Sequence, residues 1–162
     1  MKTPATKNEL LEWVTSARAG WDEILARLQP ADMEQSGVVG EWSIKDLIAH
    51  ITWSENEMVG MLKERTLVGS ELWDLSQDER NQVVYLQNKE RPFDEVLSEA
   101  RQIYTQLLQQ LEGLQDAELH EPACFRGMPS DWQPWRIIAG NTYLHYQEHT
   151  MDLQSWLSGK TS

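Results

Sequence analysis

The sequence predicts an all-α protein built as a four-helix bundle, with a long, partly helical connection between the second and third core helices. Two observations carry this. Apolar residues recur every three or four positions through four long segments of similar length. A capping residue, or a proline suited to a first helical turn, stands at the head of the first, second and last of them. No two segments alternate apolar and polar residues in a way that would pair them as strands, and no internal repeat is present.

The first helical segment, ATKNELLEWVTSARAGWDEILARLQP, opens with Thr6 and Glu9 at capping-box spacing. Leu10, Trp13 or Val14, Ala17, Trp21, Ile24 and Leu28 then repeat at helical intervals until Pro30 ends the run. After a loop with Gly37 and Gly40, Ser43 is placed to cap a second helix, and Asp46 complements its first turn. Leu47, Ile51, Ser54, Met58 and Met61 form its stripe, with Ile44, Ile48 and His50 close by. Between Leu67 and Pro92 the pattern weakens, and Ser76 with Glu79 marks a short capped helix or helical turn. A third long helix carries Val96, Ala100, Ile103, Leu107 and Leu111 on one side, with Gly113 at its C-terminal cap. HEPACFRGMPSDWQP reads as loop, and a last helix runs from about Pro134 to Leu157.

The 162 residues suit one domain, spanning 1–162, that buries a core without disulfides. One cysteine, Cys124, fits a reducing compartment, and no secretory signal is evident, so a cytoplasmic location is expected. No apolar run reaches membrane-spanning length. The net charge of −12 is spread along the chain with no basic block, which argues against nucleic acid as a partner. The eight tryptophans read mostly as packing residues, with one or two available to line a cleft or a homodimer interface.

His145 and His149 lie four apart in YLHYQEHTMDLQSWL, one turn apart on one helical face, so both imidazoles can reach one ion. The same spacing suits two solvated polar residues. A catalytic metal site ordinarily takes three protein ligands and keeps an open position. His50 is the candidate third, since it lies beside a stripe that must face the bundle interior, where facing helices approach to about 8–10 Å. His120 stands in a loop and is not needed. A hydrogen-bonded core histidine is the plainer reading of any one of these residues.

GEWSIKDLIAHITWSENEM, followed near the C-terminus by NTYLHYQEHTMDLQSWL, resembles the DinB-like superfamily of four-helix bundles. That resemblance rests on Trp42, Ser43 and Asp46 at the helix entry, His50 within it, and the H-x3-H pair His145 and His149. Within the superfamily, the NTYLHYQEH run is most similar to the branch around the colibactin self-protection proteins (ClbS/DfsB-like). It implies a divalent ion of nickel, zinc or iron type held by the three imidazoles. It also implies a small electrophilic substrate, with a low-molecular-weight thiol such as bacillithiol, mycothiol or glutathione as possible cosubstrate. The resulting expectation is a metal-dependent thiol transferase or hydrolase. The alternative is a non-catalytic or metal-free protective bundle of the ClbS/DfsB-like kind.

No catalytic side chain is assigned. Asp152 and Glu57, seven residues after His145 and His50, are each placed to orient an imidazole or to be solvated helix charges. Glu148 reads as surface, Tyr146 as packing and Cys124 as a poor nucleophile.

Overall fold

The computed structural model describes residues 2–67 and 69–160; positions 1, 68, 161 and 162 of the expected domain lie outside them. Among the described residues the α-helices are α1 (Lys7–Leu25), α2 (Ile44–Glu64), α3 (Gln77–Asn88), α4 (Phe93–Glu112), α5 (Pro134–Asn141) and α6 (Tyr143–Lys160). β-structure among them is limited to two isolated bridges. The bundle is formed by α1, α2, α4 and the α5–α6 pair. Its two main packings run α2 along α4 and α1 along α6.

Each helix buries the face its sequence prescribes. α1 turns Leu10, Val14, Trp21 and Ile24 inward, and α4 turns Val96, Ala100, Leu107 and Leu111. α2 is enclosed on several sides and buries every residue from Ile44 to Thr52 together with Ser54, Met58 and Met61. Leu47 and Leu107 are wholly buried, so truncating either to alanine is worth about 2–5 kcal/mol.

Three details differ from the sequence reading. α1 ends at Leu25, ahead of Pro30, which instead begins a short 3-10 turn. Only half of the expected capping box forms at its start. Thr6 accepts from the Glu9 amide, while the Glu9 carboxylate takes the Ala5 amide and the Lys2 ammonium.

The expected last helix is broken at Thr142, whose backbone leaves the helical region (φ −131°, ψ −106°). There the Asn141 amide and the Thr142 hydroxyl donate to the Ile137 and Ile138 carbonyls one turn back, at 2.9 and 2.7 Å. Side chains that bond the backbone in this way compete with the helix ladder, and Gly140 just before them weakens it further. α6 restarts when the Tyr146 amide donates to the Thr142 carbonyl.

The connection after α2 is tied down from within. The Glu57 carboxylate accepts from the Ser70 amide and the Trp73 indole, at 2.8 and 2.7 Å. α3 then starts on a complete Ser76/Glu79 capping box.

Candidate metal centre

The entry to α2 is fixed by a reciprocal cap. The Ser43 hydroxyl accepts the Asp46 amide, and the Asp46 carboxylate takes the Ser43 amide at 2.8 Å. With its start held, α2 carries His50 inward two turns later, against α6. On α6, His145 and His149 follow the Thr142 break on the face turned toward α2. His50 and His149 are buried, at 8% and 7% exposed, and His145 is partly so.

The three rings meet at their Nε2 atoms. His145 Nε2 lies 2.8 Å from His50 Nε2 and 3.0 Å from His149 Nε2. A single Nε2 has one in-plane position, holding either a proton or a lone pair. It cannot make two good hydrogen bonds, so direct hydrogen bonding alone does not account for the cluster. A cation placed among three lone pairs does account for it. These separations are those that ligands at about 2.0–2.1 Å need when they subtend near-right angles, and slight spreading reaches a tetrahedral set. The donor set fits a divalent ion of zinc, nickel or iron type.

Protonation is consistent with this. Burial, helped by the neighbouring His149 imidazole and the Arg80 charge, lowers His50 to about 3. Burial, with His50 and His149 beside it, lowers His145 to about 2. Both rings are therefore neutral at physiological pH, the state a ligand requires. Asp152 accepts from His149 Nδ1 at 2.9 Å, which places the proton on Nδ1 and frees Nε2. Nδ1 of His50 and of His145 are enclosed and meet no partner among the described residues.

The triad forms part of the floor of an open cleft of about 830 Å³, within the usual range for small-molecule sites. Trp42 lies over His50 with centroids 5.3 Å apart and stacks on Tyr85 at 5.9 Å and 8°. On another side Trp53 meets Trp73, and the Arg80 guanidinium lies 4.4 Å over the Trp73 ring. Three tryptophans thus line the cleft where one or two were expected, while Trp21 and Trp135 are core.

Beside the triad lies a buried network that the sequence reading did not identify. Glu55, with no exposed surface, accepts from Arg18 Nη1 at 2.8 Å and from the Tyr146 hydroxyl at 2.5 Å. It joins α1, α2 and α6, and Tyr146 immediately follows His145. The available signal was a charge within an apolar stripe: Arg18, not Ala17, is the residue α1 buries between Val14 and Trp21.

The structure brings His50, His145 and His149 together and places Asp152 behind His149. Glu57 instead holds the connection, through the Ser70 amide and the Trp73 indole. Glu148 is exposed at the cleft rim, His120 lies in the loop apart from the triad, and Cys124 is exposed.

The sequence pattern of the DinB superfamily matches residues 15–152. Solved structures sharing the fold include an uncharacterised protein from Escherichia coli UTI89 (18% identity, TM-score 0.77, covering 98% of this chain and 96% of that one). They also include the colibactin self-resistance protein ClbS, solved in complex with double-stranded DNA (18% identity, TM-score 0.77, 95% and 96%). A third is a Streptococcus pneumoniae protein (13% identity, TM-score 0.77, 98% and 93%). At these identities the likeness is one of fold. No curated protein sequence matches the chain.

The ClbS complex overturns the exclusion of nucleic acid. Charge read along the sequence, even with no basic block, does not state which cations and stacking groups the fold brings to one surface. Arg80 and Arg136, distant in sequence, both line the cleft. With its superfamily's pattern running through most of its length and over all three converging histidines, the chain belongs to the DinB superfamily.

Proposed function

We propose that His50, His145 and His149 hold a divalent cation and that the protein is a metal-dependent enzyme acting on a small electrophile, as a thiol transferase or hydrolase. The observation that carries this reading is the meeting of three Nε2 atoms, from helices distant in sequence, on the floor of an open cleft. A divalent ion there would supply a thiolate or hydroxide nucleophile at neutral pH.

The chain's own residues do the rest. Asp152 fixes the His149 tautomer and raises the ring's basicity as a ligand. Burial keeps His50 and His145 neutral, so their lone pairs stay available. Trp42 shields the His50 ring from water on one side. The remaining open side of the triad is where a substrate atom has room.

Elemental analysis of purified protein beside His145→Ala tests the metal. Near-stoichiometric metal that is lost in the variant supports the reading, and equal sub-stoichiometric content in both refutes it. A panel of thiols with a generic electrophile then separates transferase from hydrolase.

A second reading, a metal-free protective bundle, is favoured by the fold likeness to ClbS. Its test is titration of metal-free protein with duplex DNA. Saturable binding that His145→Ala leaves unchanged would favour it.

A further inference from the structure

We infer that the cleft selects a planar, unsaturated substrate bearing an anionic group, with Arg80 receiving the anion and the aromatic wall receiving the plane. This deepens the proposed function and rests on it for the position of the reacting atom, which the triad marks.

The wall is made by Trp42 and Tyr85, whose rings are nearly parallel (8°), with Trp42 against His50. A flat π-system stacked on the face of this pair that stays open to the cleft lies beside His50. Such stacking favours unsaturated over saturated ligands of equal size.

Arg80 stands on a built shelf. Its guanidinium lies 4.4 Å over Trp73 and 6.0 Å from the centroid of Trp53. The Trp73 indole edge is itself held by Glu57 at 2.7 Å. Among the described residues the Arg80 guanidinium has no carboxylate within ion-pair distance, and its one hydrogen bond is a long one, at 3.4 Å, to the Leu75 carbonyl. A planar guanidinium stacked on aromatic faces, with donors still free, is suited to grip a carboxylate or phosphate. α3 presents both Arg80 and Tyr85 to this cleft, so the anion and the plane are read by one helix.

The test uses three probes of similar size on zinc-loaded full-length protein: 2-naphthoate, its neutral amide 2-naphthamide, and the saturated decalin-2-carboxylate. Binding is read by calorimetry, and metal content is measured on the same samples. Naphthoate is expected to bind about tenfold tighter than either comparison compound. Arg80→Gln should collapse the naphthoate-to-naphthamide ratio to near unity, and Arg80→Lys should restore part of it. Trp42→Leu should collapse the naphthoate-to-decalin ratio.

A preference for naphthoate that survives Arg80→Gln would mean that the anion is held elsewhere, by the metal for instance, and overturns the inference. So does equal binding of all three probes. Failure of the metal reading is seen separately, as absence of zinc from the wild-type samples.

Discussion

Removing the Glu55 carboxylate should be among the most damaging single changes in this protein. One Glu55 oxygen takes both the Arg18 guanidinium and the Tyr146 hydroxyl, with no exposed surface around it. Glu55→Ala leaves Arg18, itself 8% exposed, with the exposed Asp22 carboxylate at 3.0 Å as its one ion-pair partner among the described residues. It also leaves the buried Tyr146 hydroxyl without its acceptor. Breaking a buried pair from one side costs about 3–5 kcal/mol, and the remaining Asp22 contact puts the expected loss near ~3 kcal/mol.

Urea unfolding at pH 8, where Glu55 is ionised, followed by tryptophan fluorescence measures this, provided the m-value is unchanged. The paired replacement Arg18→Met with Glu55→Leu removes both charges and fills the space. It should cost less than Glu55→Ala alone, about 1–2 kcal/mol, from the Tyr146 hydroxyl left without its acceptor. A loss below ~1 kcal/mol for Glu55→Ala, or a double variant worse than the single one, would refute the view that this pair clamps α2 to α1 and α6.

Three further outcomes are expected. Burial pushes Glu55 up to about 7 against an ordinary 4.5, with Arg18 and the Tyr146 hydrogen bond opposing. An acid raised on folding adds stability in full below its unfolded pKa and loses it as pH rises through the folded one. About 3 kcal/mol should therefore fade between pH 4.5 and 7. Glu55→Gln cannot ionise, so its stability relative to wild type should improve across that window, and a pH-independent difference would contradict this. Ser43→Ala removes one half of the α2 cap and should cost about 1 kcal/mol in the same unfolding assay. Asp152→Ala should weaken zinc binding about 10–100-fold in chelator competition while circular dichroism is unchanged.

The bundle was legible because its signals are local. Stripes at three- and four-residue spacing, the Ser43 and Ser76 caps and the proline that opens α5 each act within a turn or two, and all stand in the structure. The break at Thr142 was written in the chain as well, since Gly140, Asn141 and Thr142 are all weak helix formers. The apolar period running through them hid it.

The pairing of His145 with His149 was visible from spacing. Their meeting with His50 depends on how α2 and α6 are rotated about their axes, which no local pattern states. Asp152 was placed near an imidazole by its spacing from His145, but it holds His149, three residues before it. The Arg18–Glu55–Tyr146 network joins residues 37 and 91 positions apart, so only the tertiary packing reveals it. Charge along the chain did not decide the question of nucleic acid for a related reason: its order does not state which cations meet on one surface.

The central claim is that three imidazoles from two distant helices share one ion. X-ray absorption at the zinc edge, on protein loaded with one equivalent of zinc, reads the first coordination shell directly. The expected spectrum has nitrogen or oxygen neighbours near ~2.0–2.1 Å with outer-shell scattering from three imidazole rings, falling to two in His50→Ala. A spectrum with two rings or fewer in the wild type, or one that His50→Ala leaves unchanged, would contradict it.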